Sequence, residues 1–153
     1  YATTIYNGGA VASAAGYIVD GQTTDAPIIG VLNGIFYNAA TTLKPTFANF
    51  YTQVTPANSE DIDAFVFDSP TQQYVVATDD AVTQAGFLET YDMNTSAGSD
   101  ITGKSSATLD IGDTSADAAT FRLLRVAEDP ENEDITAARC SVVVVPNLIE
   151  LQS

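Results

Sequence analysis

Histidine and tryptophan are both absent from this chain of 153 residues, and cysteine and methionine occur once each. Without histidine there is no Ser-His-Asp or Cys-His nucleophile, and the commonest general base and metal ligand are missing too. A single cysteine, Cys140, excludes an intrachain disulfide, and with no histidine beside it a structural zinc site has no ligand set. Cys140 precedes the apolar run Ser141–Val145 and is expected to be a small core residue rather than a reactive thiol. Long apolar runs are also missing: no stretch approaches the roughly 18 residues that a membrane-spanning helix requires. No basic-then-apolar leader is expected in residues 1–27, which hold neither Lys nor Arg. The phosphate-cradling pattern GxxxxGK[ST] does not occur; Gly103-Lys104-Ser105 matches only its last letters.

Positive charge is the next scarcity. Lys44, Lys104, Arg122, Arg125 and Arg139 are the five basic residues against twenty acidic ones, a net charge of −15. Affinity for phosphate needs clustered Lys and Arg, so neither nucleic acid nor an anionic membrane is expected as a partner. A surface this acidic keeps the chain soluble by self-repulsion and leaves docking onto a basic surface as its functional use.

What remains is a mixture suited to strands. Apolar residues make up 45% and charged residues only 16%, so much of the polar surface is Thr, Ser, Asn and Gln. With Val, Ile, Tyr and Phe this composition favours β structure. Ile28–Leu32 and Ile35–Tyr37 flank Asn33-Gly34, which predicts a hairpin with a type I′ turn. Residues 38–61 read as loop, broken by Pro45 and Pro56, with Phe47, Phe50 and Tyr51 packing back on a sheet. Ile62–Phe67 and Tyr74–Ala77, separated by Asp68-Ser69-Pro70, predict a second hairpin. Further strands are expected at 86–88, 107–111, 120–126 and 139–145, with surface loops at 94–103 and 128–134. No amphipathic helix of about ten residues and no internal repeat is visible. The expected fold is all-β: a single compact barrel or sandwich of about six to eight short strands over residues 28–153.

Residues 1–27 differ from the rest. Gly8-Gly9 and the Ala/Ser/Gly-rich stretch up to Tyr17 read as an extended N-terminal arm, or alternatively as a frayed terminus. A solvated tail has no use for apolar side chains. Tyr1, Ile5, Tyr6, Tyr17 and Ile18 are therefore the candidate partner-interface residues, and deleting residues 1–20 is expected to weaken partner binding while the β domain stays folded.

Carboxylates are the only route left to catalysis. Asp61 and Asp63 share a strand face, with Glu60, Asp68, Asp79 and Asp80 nearby in sequence. A glycosidase, though, needs two carboxyls at a set spacing in a sugar cleft, which such enzymes usually line with the tryptophan missing here. The oxygen-rich segments Asp110–Asp117 and Glu128–Asp134 do not have calcium-loop spacing and read as solvated loops. No catalytic residue, cofactor or metal is expected.

Several segments, in order, resemble the capsid decoration (cement) proteins of tailed bacteriophages, particularly those of marine hosts. They are Gly30–Tyr37 (GVLNGIFY), Ala64–Pro70 (AFVFDSP), Thr102–Ser105 with Leu109-Asp110, Leu123–Glu133 (LLRVAEDPENE), and Val142–Val145 with Asn147. The likeness spans about residues 30–147; Lys104 stands where arginine is more usual, and residues 1–27 lie outside it. The resemblance implies a compact β domain bound in many copies to the outer surface of a phage head, stabilising the shell, with no active site to carry over. Its partners would be the major capsid protein and itself, in a cyclic form matching the shell, a trimer by expectation. A tail or fibre component is the alternative, in which Tyr74, Phe87 and Tyr91 would make a glycan platform. A secreted carbohydrate-active domain is a third reading, disfavoured by the missing tryptophan.

Overall fold

The computed structural model describes residues 2–22, 27–94, 98–114, 119–132 and 134–150. It is all-β, with ten strands in two antiparallel sheets, neither closed into a barrel. The strands are β1 (Ala10–Ala14), β2 (Tyr17–Asp20), β3 (Gly30–Asn38), β4 (Pro45–Ala48), β5 (Asp63–Phe67), β6 (Tyr74–Ala77), β7 (Thr90–Met93), β8 (Leu109–Thr114), β9 (Phe121–Val126) and β10 (Ser141–Pro146).

The first sheet is built around β3. Along one edge it pairs with β5; along the other it pairs with β1 near its start and β4 near its end. The second sheet runs β6-β10-β9-β7-β8. Each sheet has its own apolar cluster. The larger one, under the second sheet, contains Ile28, Val82, Tyr91, Met93, Leu109, Phe121, Leu123, Val142 and Val144. The smaller one contains Ile5, Val11, Leu32 and Ile35, with Ile18, Tyr51, Ile62 and Val66 partly buried around it. β1 joins the two, since side chains alternate across a strand: Ala10 belongs to the large cluster and Val11 to the small one.

That alternation overturns the arm. Residues 10–20 form the β1–β2 hairpin, in register from Val11↔Asp20 to Ala14↔Tyr17, and Ile5 exchanges backbone hydrogen bonds with Tyr51 at 2.9 and 3.0 Å. Small residues such as Ala10 are used where two elements approach closely, which composition alone reads as irregular chain. The β domain thus begins within the first ten residues, not at Ile28, and it has ten strands where six to eight were expected.

Asn33-Gly34 does not turn either. A type I′ turn requires positive φ at both central residues, and here only Gly34 (φ +145) has it. β3 runs straight through, and Asn33 is the extra residue of a bulge between Leu32↔Val66 and Gly34↔Phe65. β5 and β6 are not a hairpin; they lie in different sheets, tied by the Tyr74 hydroxyl donating to Phe67 O at 2.8 Å. Residues 84–86 form a 3-10 turn in place of the expected strand at 86–88.

In the second sheet a buried carboxylate pins the ladder. Asp92 Oδ1 accepts hydrogen bonds from Thr120 N and Oγ1, both at 3.0 Å, and Thr120 O receives Asn147 N at 2.8 Å. Asn132 holds the acidic loop to β10, its Oδ1 accepting from Ser141 N and its Nδ2 donating to Ser141 O and Ala127 O. Cys140 is buried beside this anchor, and burial pushes its thiol pKa up, in keeping with a core residue.

Candidate interaction surface

The first sheet exposes aromatic side chains on the face turned away from its core. β3, β4 and β5 contribute Phe36, Phe47, Phe65 and Phe67, which are 37%, 61%, 47% and 50% exposed. Register makes them contiguous: Phe36 is paired with Phe47, and Phe65 is paired with Gly34. The rings of Phe47 and Phe65 lie 6.0 Å apart, tilted by 41°. Gly34 makes this possible, because a Cβ there would stand 2.7 Å from Phe47 Cζ and 3.0 Å from Ala48 O. Phe47 therefore lies over the bare backbone of the bulge. A patch of this kind reaches a few hundred Å², roughly the size at which exposed apolar surface marks a contact site.

On the opposite face a cleft of about 460 Å³ opens into the small core. Leu32, Ile35 and Ile62 line it together with Tyr17, Ile18, Glu60, Asp61 and Asp63. The structure thus brings together three of the candidate interface residues, Ile5, Tyr17 and Ile18, at one cleft with Asp61 and Asp63. Their roles differ. Ile5 is buried in the core, whereas Tyr17 is 68% exposed at the start of β2. Tyr6 lies elsewhere, stacked on Phe50 at 5.8 Å with its hydroxyl donating to Asp100 Oδ1 at 2.7 Å. That hydrogen bond, followed by desolvation and the Asp100 charge, raises the Tyr6 pKa. Tyr1 lies outside the described residues.

Of the five cations, Lys104 and Arg139 line one groove, and Arg122 and Arg125 are held by local partners. Arg122 donates to Leu88 O and Asn147 Oδ1, and Arg125 pairs with Glu128 at 3.1 Å on the surface, where such a bridge contributes little. Lys104 and Arg139 line a separate groove of about 540 Å³ between the sheets, with Tyr74, Val76 and Phe121. Among the described residues no carboxylate stands within ion-pair distance of Lys44, Lys104 or Arg139.

The acidic loops use their carboxylates to close turns. Asp110 Oδ1 accepts Gly112 N, Asp129 Oδ1 accepts Glu131 N, and Asp134 Oδ1 accepts both Thr136 N and Oγ1. The Thr136 bonds hold the Asp134 pKa below the ordinary carboxylate value. Among the described residues no group of three acidic or thiol side chains converges on a point. The glycan platform does not form: Tyr91 is buried with its hydroxyl donating to Gly86 O at 3.0 Å, and Tyr74 packs edge-on against Phe121.

The phenylalanine face escaped the sequence reading, though its signal was present. In Asp63-Ala-Phe-Val-Phe67 and in Ile35-Phe36, apolar side chains occupy both faces of a strand, more than one core can bury. Comparisons of the chain with protein-family models, with curated proteins and with solved structures found no match.

Proposed function

We propose that the chain is a structural virion protein, a capsid cement that binds the outer surface of a tailed-phage head and stabilises the shell. The observation that carries this reading is the phenylalanine face: apolar surface held open on a rigid sheet is an adhesive, with aromatic anchors of the kind that dominate protein interfaces. Phe36, Phe47, Phe65 and Phe67 would meet the major capsid protein, and repeated copies on a symmetric shell would turn modest single contacts into firm attachment. The ordered resemblance over residues 30–147 supports the same reading, as does a sequence without histidine or tryptophan and with one cysteine. The large negative charge suits a partner surface that is basic and keeps decorated particles apart.

Binding of the purified chain to expanded, undecorated heads tests the proposal, with shell survival on heating as the second readout. Phe47→Ser with Phe65→Ser should reduce head binding by at least about tenfold, the loss of a buried aromatic anchor, while the melting curve changes little. Binding by the double variant equal to that of the native chain would overturn the assignment of this face. Labelled chain found on tails and not on heads would replace the cement reading with the fibre one.

A further inference from the structure

The turn between β3 and β4 carries an apolar and a cationic side chain together at its tip. Leu43 is 71% exposed and has φ +54, the left-handed region that a leucine side chain disfavours. Lys44 follows it, exposed, with no carboxylate in ion-pair range among the described residues. Exposed and strained, Leu43 adds nothing to the core of its own chain. Its side chain is therefore available to a contact outside the monomer.

The root of this turn is firmly held, and it is held against the cleft. Leu43 N donates to Ala39 O at 2.8 Å and Ala39 N to Lys44 O at 3.1 Å. Ala40 N donates to Thr55 O, Ala39 bridges to Pro56, and Asn38 Nδ2 donates to Glu60 Oε2 at 2.8 Å. Pro56 and Glu60 are cleft residues, so the root of the turn adjoins the cleft. The cleft offers what the tip lacks: an apolar lining of Leu32, Ile35 and Ile62, and carboxylates at its edge.

An apolar and cationic tip whose root adjoins an apolar cleft with exposed carboxylates gives one chain both halves of a self-complementary contact. We propose that two copies of this chain associate about a two-fold axis, each placing Leu43 in the other's cleft and Lys44 against the other's Glu60 and Asp61. Such an isologous contact closes at two copies, in place of the trimer expected from shell symmetry. It leaves the phenylalanine face, on the opposite side of the sheet, free for the shell. The inference extends the reading of the chain as an adhesive building block, but it is tested on the isolated chain without heads, so the two fail separately.

Sedimentation equilibrium of the purified full chain should show a monomer–dimer equilibrium with a dissociation constant on the order of 10⁻⁵ M, as befits a small polar-rimmed contact. Lys44→Glu alone and Asp61→Lys alone should each weaken it about tenfold or more, and the chain carrying both changes should associate again, since both reciprocal contacts are then restored with the charges exchanged. Leu43→Asn, which suits positive φ, should weaken association while the monomer melts no lower than the native chain. A chain that stays monomeric at about ten times that concentration, a mass of three copies, or association indifferent to both charge reversals would each overturn the proposal. A monomer whose Asp61→Lys variant loses head binding would also overturn it and give the cleft to the shell protein.

Discussion

The second sheet gathers Leu109, Phe121, Leu123, Val142 and Val144 over one continuous core, whereas the first leaves four phenylalanines in solvent on one face and an open cleft on the other. Both are antiparallel and five-stranded, so strand count does not explain the contrast. Side-chain placement does. β9 and β10 spend their largest apolar residues on the buried side, while β5 puts Ala64 and Val66 inward and Phe65 and Phe67 outward. Large residues outside and small ones inside leave apolar surface open on the first sheet, while the second lies over the larger apolar cluster.

Deletion of residues 1–20 breaks the comparison most severely. It removes β1, β2, Ile5 and Val11, so the first sheet should lose its folded structure outright, seen as loss of its share of the far-ultraviolet β signal and of cooperative melting. A truncated chain melting like the native one would mean that the hairpin is dispensable. Next comes a matched pair. Leu123→Ala, at a fully buried site, should cost about 2–5 kcal/mol in denaturant unfolding, and Phe65→Ser, half exposed, should cost only about 1 kcal/mol. Equal costs at the two sites would erase the division of labour. Gly34→Ala should cost about 1–3 kcal/mol, the strain of a side chain at φ +145, and should also displace Phe47, reducing head binding beyond what the stability loss explains. The smallest effect is alkaline. Burial holds Tyr74 and Tyr91 above their ordinary value of 10.0, with Asp68 and Glu89 adding to the shift. Both folded and unfolded chains keep these protons below pH 10; above it the unfolded chain releases them first, so stability falls as pH rises. Tyr91→Phe should flatten that decline in a pH series of melts.

Much of the second sheet was legible in sequence. β10 carries four consecutive valines, β9 alternates apolar residues with Arg122 and Arg125, and the loop at 128–134 is punctuated by Pro130 and by acidic turn formers. The first sheet was read less well, for two reasons. Asn-Gly is ambiguous between a turn and a bulge, and β5 settles the matter by giving β3 a partner along its length. Ala- and Gly-rich chain carries little periodic signal, so the β1–β2 hairpin was invisible until β3 supplied an edge for Ala10 and Val11. Of the five candidate interface positions, Ile5, Tyr17 and Ile18 line one cleft while Tyr6 stacks on Phe50 elsewhere, a grouping that composition alone does not reveal.

By itself the sequence determined chemistry and class. Folding cannot supply residue types that this stretch of chain lacks, and a Thr-, Val- and Phe-rich composition with little helical periodicity favours sheet. Tertiary structure alone decided which apolar residues are core and which are surface. A strand alternates its side chains between two faces, and only its neighbours determine which face is covered.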